Sequence, residues 1–231
     1  MIDSLALVKT PAIARKIFRK AIWRASTKKK TLYLTFDDGP QPGVTGAVLD
    51  LLNQYNAKAT FFCIGKNIEE NPELFQRIIA EGHTAGNHTQ QHLNGWKTNL
   101  LTYLDDVKAC DAILDAQFAE ATNTNNKRLF RPPYGKLTFP QYNYLKQRYQ
   151  VVMWDVLSFD FDLKETKERV LENVIRHAEN GSVIVFHDSK KAAEKVLFAL
   201  PAVLQHFHDA GYSFQSLNAA AVANFRRQKR R

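Results

Sequence analysis

The sequence predicts an α/β fold in which parallel strands close, or nearly close, into a barrel with helices outside. Three observations carry that prediction. Seven strand-like apolar runs alternate with helical patterns along 231 residues, and 45% hydrophobic content is enough for one sizeable core. Glycines 82, 181 and 211 follow helical stretches, where a left-handed end residue is expected. Polar residues suited to chemistry directly follow apolar runs, and in a parallel barrel those strand ends share one face.

The first strand, 31–36, is the alternating run from Leu32 to Phe36, with Gly39-Pro40 stopping the chain behind it. A helical pattern near 44–55 leads to an apolar strand at 58–64, which contains Cys63. Asn71-Pro72-Glu73 opens a helix over 71–81 with a cap, a proline at the first position and an acid in the first turn. A strand at 83–87 and a helix at 98–120, which contains Cys110, follow. Leu129-Phe130 marks a strand at 128–131, then come a helix at 139–149, a strand at 150–156 and a helix at 164–180. Val183-Ile184-Val185-Phe186 builds a buried strand at 182–187. Pro201 predicts a break or kink in the helix over 191–210, and a strand at 212–217 closes the pattern.

The two cysteines lie in core-type segments and read as buried thiols, not as a disulfide framework. The net charge of +9 belongs to the chain ends. Residues 1–30 carry nine Lys or Arg against one Asp, residues 226–231 add five, and the body between holds 18 basic against 22 acidic residues. Three segments are therefore expected: a basic amphipathic stretch at 1–30, the catalytic barrel at 31–220 and a basic tail at 221–231. In the first, Thr10 is placed to cap a helix with Pro11 in its first position. Ile13, Ala14, Ile17, Phe18, Ala21 and Ile22 fall on one half of its wheel, facing the barrel or a membrane surface. The basic ends allow peripheral contact with an anionic membrane or wall polymer, and no motif points to nucleic acid. No segment has the length of a transmembrane helix or the pattern of a signal peptide, which predicts a cytoplasmic or peripherally membrane-associated protein.

The chemistry begins at Thr35-Phe36-Asp37-Asp38-Gly39-Pro40. Two adjacent carboxylates at the end of a buried strand are costly unless a cation compensates them. His88 and His92 offer two imidazoles four residues apart, on one face if that stretch is helical. With a carboxylate they complete a three-ligand site for an ion such as Zn²⁺, with a position left for water. The Glu of the HExxH pattern is missing, so a base must come from the Asp pair. Consecutive residues in extended chain diverge, which predicts one ligand and one base, without saying which is which. Asp-Asp-Gly-Pro is also ordinary turn chemistry.

Three further stretches can serve. In Arg131-Pro132-Pro133-Tyr134 the prolines fix φ, leave the Tyr134 amide as a donor for an oxyanion, and place Arg131 to pair with a carboxylate. His187 ends its strand as a candidate general acid, with Asp160 as its partner.

With these motifs in view, residues 31–217 resemble the polysaccharide deacetylase family, whose catalytic unit is the NodB homology domain of carbohydrate esterase family 4. The resemblance implies a distorted (β/α)7 barrel, to which the N-terminal helix is an addition. It assigns Asp37 as base and Asp38, His88 and His92 as ligands of one divalent ion, Zn²⁺ first with Co²⁺ or Ni²⁺ as alternatives. Arg131 tunes the base, the Tyr134 amide serves the oxyanion, and Asp160 orients the acid His187. The fourth motif departs from the family, with Leu157 and Phe161 standing where Asp and Trp are usual, and Val185 replaces a Leu in the fifth. The expected activity is hydrolysis of N-acetyl groups from amino sugars of a peptidoglycan or chitin-like glycan, releasing acetate. The alternatives are the same site acting on a small non-polymeric amide and a glycan-binding module without catalysis.

Overall fold

The computed structural model describes residues 8–25, 29–117 and 127–217. The basic tail at 221–231, and with it the end of the expected barrel segment, lies outside them.

Among the described residues eight strands form one parallel system: β1 Thr31–Asp37, β2 Thr60–Cys63, β3 Thr84–Asn87, β4 Leu129–Phe130, β5 Gln150–Val151, β6 Val156–Leu157, β7 Val183–His187 and β8 Ser213–Phe214. Their order is β5-β4-β3-β2-β1-β7-β6, with β8 beside the start of β1. β1 lies at the centre and is buried along its whole length, as parallel strands covered on both faces are. Leu32, Leu34 and Phe36 point into the larger apolar cluster under the helices, while Tyr33 joins Phe62, Leu129, Val152 and Val183 in another cluster. This is the period-two division of a strand between two cores.

The helices are α1 Ala12–Ile17, α2 Thr45–Gln54, α3 Gly65–Glu70, α4 Pro72–Ala80, α5 Leu100–Gln117, α6 Phe139–Arg148, α7 Lys167–His177 and α8 Ala193–Asp209. Glycines 82, 181 and 211 all have positive φ. Cys63 and Cys110 are buried free thiols. One helix, α8, runs through Pro201 without the predicted break. The missing amide removes one bond, but Val196, Leu200, Val203, Leu204 and Phe207 bury a continuous face on both sides of it, and tertiary packing holds the helix together.

The expected strand over 150–156 is split into β5 and β6 because its middle turns to another partner. Ile22 N–H donates to Val151 O at 2.9 Å and Met153 N–H donates to Ile22 O at 2.7 Å. Lys9 and Arg24 form bridges to Val156 and Ser182. The N-terminal segment thus fills the gap between β5 and β6, where backbone groups would otherwise stay unpaired. For the same reason its helix is short. α1 has no fully buried residue: Ala14 packs half-buried on the cluster around Tyr142, Ile13 and Ile17 are exposed, and Thr10 donates its hydroxyl to Trp154 O at 2.7 Å instead of capping, leaving Pro11 as the N-cap residue.

Several of its basic side chains turn inward. Lys9, Arg15 and Arg24 surround the fully buried carboxylate of Asp155, which also accepts from Ser182 Oγ at 2.6 Å. Asp155→Ala leaves three cations without their shared acid. Lys9 and Arg24 keep Glu179 and all three cations are partly exposed, so the loss is softened, but the urea midpoint of Asp155→Ala is expected to fall with its slope unchanged.

Candidate active site

Strand register gathers the site. Asp37 of β1 pairs with His187 of β7 on one side and Phe62 of β2 on the other. Cys63 pairs with Asn87, and Asn87 with Phe130. His88 and Arg131 therefore emerge one residue past neighbouring strand ends, on the rim that carries Asp37, Asp38 and His187.

The Asp pair is not divided by an extended chain. Asp37 ends the strand, but Asp38 has φ 79°, in the left-handed region. Its carbonyl accepts from Asn67 Nδ2 at 2.6 Å, which holds the turn. The chain then passes through a cis Gly39–Pro40 bond. Gly39 N–H donates to Asp188 Oδ1 at 3.0 Å, and Thr45 Oγ donates to Asp188 Oδ2 at 2.6 Å. A Cβ on Gly39 would lie 1.9 Å from Asp188 Oδ2, so only glycine fits there. Burial pushes the Asp188 carboxyl up to about 7, opposed by the Thr45 hydroxyl.

His88 and His92 are not on a helix. They lie in a loop after β3, with Thr89 at φ 66° and His92 at φ 56°. Local bonds replace helical ones: Thr89 N–H donates to Asn87 Oδ1 at 2.8 Å, and the Gln90 and Gln91 amides both donate to Asp106 Oδ2 at 3.1 Å. Polar side chains that offer the backbone such partners compete with helix formation.

The loop nevertheless converges both imidazoles on Asp38. His92 Nε2 stands 3.1 Å and His88 Nε2 3.5 Å from Asp38 Oδ1. The three candidate ligand atoms lie within 4.8 Å of one another, a spread that one small cation can span. His88 Nδ1 is 2.7 Å from Arg131 O, which can only accept. That bond places the proton on Nδ1 and leaves the Nε2 lone pair facing Asp38. His92 Nδ1 meets the Tyr134 hydroxyl at 3.1 Å, so its Nε2 is also aimed inward. Asp38 Oδ1 is buried with no hydrogen-bond partner, an orphan that a cation would satisfy. Burial raises the Asp38 carboxyl, but with no ion present the His88 and His92 rings, in their protonated form, and the charge of His187 hold it well below the usual carboxylate range. Charge, donor type and aim all fit a divalent ion.

Asp37 is nearly buried, and Arg131, fully buried, donates from Nη1 to its Oδ1 at 2.7 Å. Arg131 is itself held by Thr35 Oγ at 2.7 Å, Met153 O at 2.9 Å and the ring of Phe62, whose centroid is 4.2 Å from Cζ. Met153 is the residue whose amide binds Ile22, so the N-terminal segment braces Asp37 through Arg131 from behind. Tyr134 has φ 58° in the rigid turn after the two prolines.

His187 Nδ1 meets Asp160 Oδ1 at 2.7 Å, and its own N–H donates to Asp160 Oδ2 at 2.7 Å. Phe161 lies edge-on to the imidazole at 5.0 Å between ring centroids. Burial pushes the imidazolium down, but Asp160, with Asp38 and Asp37 behind it, lifts it to about 9. His187 thus carries its proton at neutral pH, as a general acid must. The folded value lies above the ordinary 6.5, so its contribution to stability is complete below pH 6.5 and is lost as pH rises through about 9. In the metal-free protein, NMR should find this ring titrating near 9. In Asp160→Asn the titration should fall towards 6.5 or below, since burial is then less opposed.

Asn67, Asp106 and Asp188 hold the site in place and were not singled out from the sequence as site residues. Asp188 directly follows His187, which was a usable signal, whereas Asn67 and Asp106 lie on helices with no motif around them.

The chain is similar in sequence and fold to known proteins. The polysaccharide deacetylase pattern matches residues 24–150. A peptidoglycan-N-acetylglucosamine deacetylase of Bacillus cereus is 33% identical over 201 residues, covering 85% of this chain and 90% of that protein. The chain belongs to the polysaccharide deacetylase family. The peptidoglycan-N-acetylmuramic acid deacetylase PdaC of Bacillus subtilis is 31% identical over 82% of this chain, which spans only 38% of that longer protein. A solved peptidoglycan N-acetylglucosamine deacetylase in complex with 4-naphthalen-1-yl-N-oxidanyl-benzamide matches with TM-score 0.79 at 30% identity, over 90% of this chain and 95% of that one. Membership makes this polysaccharide deacetylase a hydrolase that removes acetyl groups, in a family that is metal-dependent. The parallel sheet described above, with its helices, agrees with the family's distorted barrel. None of the helices among the described residues is long and apolar enough to cross a membrane.

Proposed function

We propose that this deacetylase hydrolyses the N-acetyl group of N-acetylglucosamine units in peptidoglycan, giving acetate and a free amine. The observation that carries the reading is the orphaned Asp38 Oδ1 facing two inward-aimed imidazoles, between a carboxylate held by Arg131 and an imidazolium held by Asp160. Asp38, His88 and His92 are the ligands, and two nitrogens with one oxygen suit Zn²⁺, with Co²⁺ and Ni²⁺ as alternatives. When bound, the ion polarises the acetyl carbonyl and acidifies a water molecule.

The chain's own residues do the rest. Asp37 takes the proton of the attacking water, and Arg131 fixes the carboxylate that receives it. The Tyr134 N–H donates to the oxygen on which negative charge develops. His187 gives its proton to the sugar nitrogen as the C–N bond breaks, so the leaving group departs as a neutral amine. A base and an acid thus act in one site, each kept in its working state by a different partner.

Peptidoglycan is chosen because the B. cereus relative, whose length this chain nearly spans, bears that substrate in its name. N-acetylmuramic acid is the second reading, since PdaC is named for it. Mass spectrometry of treated peptidoglycan fragments separates them. Free amine on glucosamine is the expected result, amine on muramic acid supports the second reading, and acetate from small amides alone overturns both.

A further inference from the structure

The apolar half of the N-terminal segment divides in two. Ala14, Phe18 and Ala21 pack on the cluster around Tyr142, and Ile22 enters the cluster with Tyr33 and Val152. Ile13 and Ile17, one turn apart on α1, face outward and are 66% and 50% exposed. Phe139, 64% exposed at the start of α6, stands beside this segment, with its ring centroid 6.2 Å from that of Phe18. Phe18 also packs edge-on against Tyr142 of α6 at 4.7 Å between centroids, and the Tyr142 hydroxyl accepts from the Lys20 N–H at 3.1 Å. α1 and α6 thus form one fixed face from which three large apolar side chains project. Single exposed apolar side chains are ordinary, whereas several gathered by two packed elements mark a contact surface.

The segment's cations divide in the same way. Lys9, Arg15 and Arg24 turn inward to Asp155. Lys16, Arg19 and Lys20 stay exposed, and among the described residues none of these three side chains meets a carboxylate. Lys146 of α6 continues the basic edge, with Nζ 5.3 Å from the Tyr142 ring centroid. Residues 4–36 and 121–154, which supply both elements of the face, hold no Asp or Glu, although the chain has 23. A face of one sign on a body with more acids than bases attracts an anionic surface and repels the same face of a second copy.

Charge alone would suit any polyanion, and the apolar side chains decide among them. Ile13, Ile17 and Phe139 gain nothing from a hydrated phosphate polymer. At a bilayer they leave water for the acyl boundary while Lys and Arg stay at the headgroups. We propose that this face seats the protein on a membrane rich in anionic lipid, with Ile13, Ile17 and Phe139 inserted and Lys16, Arg19 and Lys20 at the phosphates. The contact uses no residue of the catalytic site and stands or falls independently of the reaction.

The test is co-sedimentation of the full chain with vesicles of phosphatidylcholine alone and of phosphatidylcholine mixed with phosphatidylglycerol. Wild-type protein should pellet with the anionic vesicles and stay in solution with the neutral ones. Each cation near such a surface is worth about fivefold in partitioning, so Lys16→Gln, Arg19→Gln and Lys20→Gln together should weaken it about 100-fold. Ile13→Ser with Phe139→Ser should weaken it at least about tenfold. All five residues are exposed, and an unchanged urea midpoint separates loss of binding from loss of fold. Binding by both variants equal to wild type would place the contact in the chain ends and overturn the proposal. Loss with the charge variant alone would make the face a polyanion site, and failure of wild-type protein to pellet with anionic vesicles overturns the proposal as well. Self-association in solution that Ile13→Ser with Phe139→Ser abolishes would instead assign the face to a second copy of the chain.

Discussion

Asp37→Asn protein is expected to release acetate at least ~100-fold more slowly than wild type while holding the same one metal ion per chain. General-base catalysis contributes roughly 10²–10⁴-fold, and the amide can neither take the water's proton nor alter the three ligand atoms. Asp37 meets Arg131 and not the histidines, so the ion keeps Asp38, His88 and His92. Elemental analysis together with a turnover assay reads both quantities. Near wild-type deacetylation by Asp37→Asn would remove Asp37 as the base. Loss of the metal as well would make it a ligand.

Arg131→Met should unfold at markedly lower urea concentration, by about 3–5 kcal/mol, the range found when one member of a buried ion pair is removed. The guanidinium is fully buried, and its removal strands the Asp37 carboxylate, whose side chain is only 6% exposed, together with Met153 O. The diagnosis lies in the double variant. Arg131→Met with Asp37→Leu removes the stranded charge and should recover most of the lost stability, because replacing both partners by apolar groups is often close to neutral. If the double variant is as unstable as the single one, packing of the long side chain on Phe62, and not its charge, holds that region.

These two variants probe residues that the sequence made legible for a simple reason. Asp37, Arg131 and His187 each end or directly follow an apolar run, and a parallel barrel brings such ends to one rim. Register in the strand ladder is nearly rigid, so chain position translates directly into spatial position. Where the chain leaves the ladder, that translation fails. The i, i+4 spacing of His88 and His92 suggested a helical face, yet Asn87 and Asp106 hold the backbone in a loop. The imidazoles still meet, because the loop reverses through two left-handed residues.

The same limit applies to the residues that position the site. Asp188 works through Gly39 and Thr45, and Asn67 through the Asp38 carbonyl. Each acts on a partner distant in sequence, and no local spacing encodes those contacts. The N-terminal segment failed differently. Its apolar wheel was real, but the gap between β5 and β6 offered Ile22 two backbone hydrogen bonds that a helix there would forgo. Its basic residues allowed contact with an anionic membrane or wall polymer, and three of them also neutralise Asp155. A buried acid in another part of the chain cannot be seen from the segment that compensates it.

The central claim is that Asp38, His88 and His92 hold one divalent ion on which removal of acetate from a peptidoglycan glucosamine depends. Its most direct test measures acetate and new free amine from peptidoglycan fragments with metal-loaded protein, after chelation, and after Zn²⁺ is restored. The account predicts acetate and glucosamine amine in equal amounts, loss of both on chelation, and recovery with the ion. Protein that binds one ion per chain through these three residues yet releases no acetate, or that works equally well after the ion is stripped, would contradict it.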